Sequence, residues 1–393
     1  MDCNSPGNRM IDNDYPKREK EEFFMRKTMS LVLVSTMMAA MLAGCGGGGS
    51  SEAPATTAAP ATTAAEAEKT EAPAEGEETE AQAEAESFEP ATLRVAYMPN
   101  MGSASLAVTA RDKGFFEEMG LTVELVEFQG GPAEIAAMAS GDIDISQIGH
   151  GAHALCAEGE AVIFQIDCTS LADAVMGNKD KGVNSIADLK GKKVAATSGT
   201  SAEIILNLAL QQEGMTTDDL ELVEMDANGI VTAMISGNVD ACATWSPGTM
   251  TIEDALGDKT VWLATNQDYV NQVTFPSSFI TTQKFADGNH DLLVRFSRAL
   301  QKAADYRNSN IEEVAGLVAK QCEVDGDVMK ATVGEGNWTI TSDFLGKSLE
   351  DGTIKTYYEN QQQVFIDGGR LTEKVDVNNY VLFDVMKEAY EAN

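Results

Sequence analysis

The sequence predicts an α/β chain of two parallel-sheet lobes, joined by two crossing segments and separated by a cleft. A duplicated pattern is the first observation behind this. AAMASGDIDI (Ala136 to Ile145) matches TAMISGNVDA (Thr232 to Ala241) at a spacing of 96 residues, each reading as a helix end, a glycine and a strand. Upstream of these, LTVELVEF (Leu121 to Phe128) pairs with DLELVEM (Asp219 to Met225), and LRVAYMPNMGSAS (Leu93 to Ser105) pairs with KVAATSGTSAE (Lys193 to Glu203), so each half reads β-α-β-α-β. The second observation is the helical periodicity between the strands. SASLAVTARDKGFFEEMG opens at Ser103 and stops at Gly120, and SAEIILNLALQQEG opens at Ser201 and stops at Gly214. Strands alternating with helices of this length build parallel sheets with right-handed crossovers, and two such units make two lobes.

Taken in order, residues 91–177 with 276–393 form lobe 1 and residues 178–275 form lobe 2. The chain crosses near CTSLADAVMG (Cys168 to Gly177) and returns near TFPSSFITTQKF (Thr274 to Phe285), two segments that act as a hinge. Four helical patterns then complete lobe 1: His290 to Asn308, Ile311 to Gln321, Leu349 to Gly369 and Val377 to Ala392. Ligands of parallel sheets sit beyond the carboxyl ends of the strands, where helix N-termini also point, so the cleft lies between those two edges.

The first quarter of the chain is outside this fold. Residues 1–24 are polar and patternless and read as untranslated or without order, with Met25 as the true start. Residues 25–44 form a signal peptide: Arg26 and Lys27 precede an apolar run from Leu31 to Leu42, and LAGC (Leu42 to Cys45) resembles the lipobox of bacterial lipoproteins. Lipid on Cys45 anchors the protein to the outer face of the cell membrane. From Cys45 to residue 90 the chain is rich in Ala, Thr, Pro and Glu and poor in large apolar side chains. It cannot bury enough surface to offset its ordering entropy and serves as a flexible tether.

A formal charge of -34, with no basic stripe, excludes nucleic acid as a partner. Cys156, Cys168, Cys242 and Cys322 lie in apolar segments without paired spacing and read as buried free thiols. HGAHALC sets His150, His153 and Cys156 three apart on a helix, but those steps wind around it instead of forming a chelating face, so no metal site follows.

LRVAYMPNMGSASLAVTARDKGFFEEMGLTVELVEFQGG, MASGDIDISQIG, SIADLKGKKVAA and ISGNVDACATWSP, in that order, resemble the nitrate, sulfonate and taurine family of ABC-transporter substrate-binding proteins. The likeness covers Leu93 to Asn393 and departs from many relatives at Ser246, where they carry an acidic residue after the tryptophan. It implies the type II periplasmic-binding-protein fold and a monomeric, lipid-tethered receptor without cofactor or catalytic residue. Such a receptor closes over a small solute (a sulfonate, taurine, nitrate or a similar small compound) and hands it to a permease driven by a cytoplasmic ATPase. The rival readings are an enzyme or binding protein related to the thiamine-pyrimidine synthases of the same fold, whose cysteine-rich iron motif is missing here, and a sensory receptor that does not transport.

The cleft loops supply the candidate contacts: Met98, Asn100 and Ser103 after the first strand; His150 and Gly151 in GHGAH; Thr169 and Ser170 at the crossing; Ser198, Gly199, Thr200 and Ser201 in TSGTS; Asn228 in DANG; and Trp245 as an apolar wall. None of these loops contains Lys or Arg. An anionic ligand is then held by backbone N–H groups at helix starts near Ser103, His150 and Ser201, assisted by hydroxyls, and the weakness of that field leaves a neutral or zwitterionic ligand open. TSGTS reads as a grip and not a catalytic loop, because no base within it could activate a hydroxyl.

Overall fold

Alternating strands and helices occupy most of residues 88–393, which are the residues that the computed structural model describes. The signal segment, Cys45 and the tether lie outside them. The first half contains β1 (Ala91–Tyr97), α1 (Met101–Asp112), α2 (Phe115–Glu118), β2 (Leu121–Glu127), α3 (Gly131–Ser140), β3 (Ile145–Ile148), α4 (His153–Ala157) and β4 (Val162–Ser170). The chain continues through β5 (Asp173–Asn178), β6 (Lys193–Ala196), α5 (Ser201–Gln212), β7 (Glu221–Glu224), α6 (Ala227–Ser236), β8 (Ala241–Trp245), α7 (Gly248–Leu256) and β9 (Thr260–Thr265). It returns on β10 (Pro276–Thr281), followed by α8 (Gln283–Gly288), α9 (His290–Ser309), α10 (Ile311–Gln321), α11 (Gly326–Ala331), β11 (Gly336–Asn337), α12 (Ser342–Asp351), α13 (Thr353–Asp367) and α14 (Phe383–Glu391).

Two sheets result, ordered β11-β4-β10-β3-β1-β2 and β7-β6-β8-β5-β9. The duplicated units are β2-β1-β3 and β7-β6-β8, parallel and in the same order. Their joints match in detail. Gly141 and Gly237 end α3 and α6 at φ of 81° and 72°. Asp144 and Asp240 then each accept the backbone N–H of the first unit-strand residue beside them, Arg94 at 2.8 Å and Lys193 at 3.0 Å, through a carboxylate oxygen.

The sheets are mixed, which corrects the expectation of purely parallel ones. β5 runs antiparallel to β8 and β9, and β10 antiparallel to β3 and β4. The reason is where the chain crosses. Asp173 opens β5 opposite Trp245, the carboxyl end of β8, so a strand entering at the cleft edge has to run away from it.

Three helix boundaries also differ. Asn100, not Ser103, caps α1, its side chain accepting from Ser103 N, and the pattern to Gly120 splits at Gly114. The pattern Leu349 to Gly369 breaks at Gly352 into α12 and α13. In the last pattern only Phe383–Glu391 is α-helical, because Val381 is drawn into a bridge with Ile163 of β4. The C-terminal helices do not serve lobe 1 alone. Val364, Phe365 and Leu371 pack into the core of the second sheet beside Leu206 and Leu210. The four described cysteines are buried and unpaired.

A buried ion pair joins the elements beneath the first sheet's cleft edge. Arg307 of α9, wholly buried, donates to Asp167 Oδ1 of β4 at 2.6 Å, to Asp167 O at 2.9 Å and to Ser105 Oγ of α1 at 2.7 Å, and its guanidinium lies 4.8 Å from the Trp338 ring. Burial pushes the Asp167 carboxyl up, and Arg307 and Gln147 pull it back down.

Glu134 of α3 is also fully buried, where it pairs with the Ser146 hydroxyl, and burial raises its carboxyl to about 8. The native state therefore keeps this proton up to about pH 8, whereas the unfolded chain releases it near the usual 4.5. Bound protons favour the native state in that interval, so its stability falls as pH rises through it. Glu134→Gln should flatten this slope and stabilise the fold by a few kcal/mol at pH 8, as read by urea denaturation at pH 5 and pH 8. An unchanged slope would mean that Glu134 titrates like an exposed carboxyl.

Candidate functional site

A cavity of about 500 Å³, counting the space at its mouth, lies where the carboxyl ends of the two sheets meet. Met98, Asn100, Gly102 and Ser103 enter from the turn after β1, Gln147 and Gly149 from the end of β3, and Ser170 and Ser277 from β4 and β10. Asp173, Gly199, Thr200, Ser201 and Trp245 come from the second lobe; β5 belongs to the second sheet, so the chain crosses before Asp173 and not after residue 177 as expected. A smaller space of about 270 Å³ adjoins it, sharing Asn100, Gly102, Ser170 and Ala172 and reaching Glu335 and Trp338. Neither Lys nor Arg lines either space.

Each wall is fixed by local bonds. Ser103 Oγ accepts Met98 N at 2.9 Å, and Asn100 Oδ1 accepts Ser103 N at 2.9 Å, which closes the turn on itself. Gln147 is 1% exposed and donates through Nε2 to Gly102 O and to Asp167 Oδ2, both at 2.9 Å. Those two acceptors fix which way the amide points and leave Oε1 without a partner among the described residues. Asp173, 2% exposed, accepts Ser201 Oγ at 2.5 Å and Asn266 Nδ2 at 3.1 Å, while its own N–H donates to Asn266 Oδ1 at 2.7 Å. Burial lifts its carboxyl to about 6, and the two side-chain donors act against that rise. Trp245, half-buried at the end of β8, supplies apolar wall.

Eight of the residues expected in the cleft are therefore brought together: Met98, Asn100, Ser103, Ser170, Gly199, Thr200, Ser201 and Trp245. Five are not. Ser198 is exposed and turned to Glu224, which accepts both its N–H and its hydroxyl. Asn228 lies exposed on the first turn of α6. Thr169 is buried within β4 between β10 and β11. His150, 1% exposed, packs its ring 4.8 Å from that of Phe275 behind the lining, where burial lowers it to about 3 and neither nitrogen has a partner among the described residues. It opens a 3-10 turn, not the helix it was expected to share with His153 and Cys156.

Gly151 lies behind the lining for a steric reason. A Cβ there would stand 2.2 Å from the Thr200 carbonyl carbon and 2.5 Å from Ser201 N, so the two lobes touch backbone to backbone at this glycine.

The hydroxyls of TSGTS also differ from expectation. Thr197 donates to Met225 O, Ser198 to Glu224, Thr200 to Thr197 O and Ser201 to Asp173. The loop is held by its own donors, and what Thr200 and Ser201 leave for the cavity is lone pairs. Gln147 and Asp173 were missed. The signal for both was a polar side chain inside an otherwise apolar strand, ISQI and DAVMG.

Residues 103–313 match the family described as NMT1/THI5 like. A protein of Brucella abortus (strain 2308), named as a candidate binding protein, is 32% identical over 74% of this chain and 90% of its own length. The taurine-binding periplasmic protein of Escherichia coli (strain K12) is 25% identical over 52% of this chain and 63% of its own. Among solved structures, the periplasmic nitrate-binding protein of Synechocystis PCC 6803 superposes with a TM-score of 0.65 at 16% identity, covering 77% of this chain and 89% of that one. The last likeness establishes the two-lobed periplasmic-binding-protein fold.

The lobes meet at Gly151, so a side chain placed there tests whether this contact governs how closely they approach. Gly151→Ala should hold the lobes apart, raise the radius of gyration in small-angle scattering and weaken solute binding, with an overpacking cost of about 1–3 kcal/mol. Unchanged scattering and affinity would show that the contact does not govern closure.

Proposed function

The chain belongs to the NMT1/THI5-like family, and on that premise we propose that it is the extracytoplasmic solute-binding lipoprotein of an ABC importer. It closes its lobes over a small solute and delivers that solute to a permease driven by a cytoplasmic ATPase. The observation that carries this reading is the shared cavity, with Met98, Ser103 and Gln147 on one lobe facing Thr200, Ser201 and Trp245 on the other. A solute that touches both lobes binds the closed state better than the open one, and that difference in affinity drives closure. Relatives named for taurine and nitrate support sulfonates, taurine, nitrate or similarly small compounds as the solute class.

Binding without turnover is supported by the cavity's own chemistry. Thr200 and Ser201 commit their hydroxyl protons to a carbonyl and a carboxylate, and the buried His150 stands behind the lining, away from them. Lipid on Cys45 and the acidic tether would hold the folded lobes at the outer face of the membrane as a monomer within reach of the permease.

Two expected outcomes test this. Met98→Ala and Trp245→Ala, one in each lobe, should each weaken binding by roughly 1–3 kcal/mol through lost apolar contact, measured by calorimetry with whichever of taurine, nitrate, alkanesulfonates, pyrimidines or amino acids stabilises the protein most. If the second-lobe change left affinity untouched, closure over the solute would be disproved. Cys45→Ser should move the protein from the detergent phase to the soluble fraction, and continued detergent partitioning would remove the lipoprotein assignment.

A further inference from the structure

Gln147 and Asp173 give the cavity two buried acceptors, beside the Asn100 amide and the Ser170 hydroxyl that line it from the first lobe. Gln147 presents a buried carbonyl oxygen with no partner among the described residues, its amide orientation fixed by the two acceptors on Nε2. Across the cleft, Asp173 uses one lone pair of each carboxylate oxygen on Ser201 and Asn266, which leaves the others of its roughly four lone-pair sites open. Thr200 and Ser201 have spent their hydroxyl protons inside the protein. The N-terminus of α5, which would otherwise attract an anion, already faces two carboxylates: Asp173 holds Ser201, and Glu203 holds the Gly199 N–H at 2.8 Å. Arg370, beside Gly199, is already paired with Glu203, so a bare oxyanion placed there would meet the Asp173 carboxylate and unsatisfied acceptors with no Lys or Arg lining the cavity to offset them.

We propose that the solute carries an N–H group that donates to both Gln147 and Asp173, so that the two lobes close on a nitrogen and not on a bare oxyanion. This rests on the solute-binding reading and narrows it. Gln147 comes from β3 of one lobe and Asp173 from β5 of the other, so one donor group bridging them is bound fully only when the cleft is shut. An ammonium would pair with the Asp173 carboxylate as a charge-assisted bond, and a neutral amine or ring N–H would use the same two acceptors more weakly.

The test uses the full chain. Bound small molecules are extracted and their elemental compositions read by accurate-mass spectrometry, and the emptied protein is titrated with taurine against isethionate and with β-alanine against 3-hydroxypropionate. The members of each pair differ in an amino group replaced by a hydroxyl. The expected result is an extracted molecule that carries an N–H group, which nitrate does not, or an amino member that binds at least about tenfold tighter than its hydroxyl partner. Asp173→Asn should then weaken an ammonium ligand by about tenfold or more, and a neutral N–H ligand by less. Gln147→Met should weaken both kinds. An extracted molecule without an N–H group (nitrate included), hydroxyl partners that bind as well as the amines, or affinity unaffected by both substitutions overturns the inference while leaving solute binding intact. A protein that yields no extracted molecule, binds none of the four compounds and is stabilised by none of nitrate, alkanesulfonates, pyrimidines or amino acids overturns the solute-binding reading and this inference together.

Discussion

The cleft edge of the first lobe depends on one buried charge pair. Arg307 and Asp167 are both wholly buried, and removing either would strand the other's charge in a medium where an isolated ion is very costly. Through Arg307 the pair reaches Ser105 on α1 and the Trp338 ring, and through Asp167 it reaches Gln147 on β3. Gln147 in turn grips Gly102 O in the turn after β1. Four segments distant in sequence are thus held in one bonded chain, whose end is the free carbonyl oxygen of Gln147. The chemistry offered to a solute is in this sense set from the interior, by a salt bridge that never meets solvent.

The second constraint is directional. In each duplicated unit the strands run toward the cleft, which gathers turns and helix starts at one edge. A chain that serves two such sheets must enter each from that edge, so the two returning strands are antiparallel and their first residues fall in the cleft. Asp173 and Ser277 owe their place in the cavity to this entry, one at the start of β5 and the other near the start of β10.

The duplication made the units β2-β1-β3 and β7-β6-β8 legible in the sequence, because a helix end, a positive-φ glycine and a strand leave the same signature twice. Strand direction at the crossings was not legible, since periodicity says where a strand lies and not which way it runs. The candidate site was readable as far as loops go: the turn after β1, TSGTS and Trp245 all reach the cavity. Side-chain direction inside those loops was not. Ser198 turns out to Glu224 while Thr200, two residues on, lines the cavity, and no local pattern separates them. His150 looked available as a histidine at a helix entry, yet its ring fills space against Phe275, a contact between residues 125 apart in the chain. Gln147 went unnoticed because its partners, Asp167 and Gly102, are far from it in sequence.

α13 has a consequence for how the molecule moves. Its first turns, with Ile354, Tyr357 and Tyr358, pack into the core around β4 and β10, while Val364 and Phe365 near its end pack into the other core and Arg370 just beyond pairs with Glu203. The lobes are consequently joined by this helix as well as by the two backbone links and the contact at Gly151. Two links alone define an axis about which a body swings freely, and a third attachment away from that axis restrains the swing. Any opening must bend α13, shift its last turns or break the Arg370 pair. Opening the cleft would therefore work against the packing of a helix that lies outside the cavity lining.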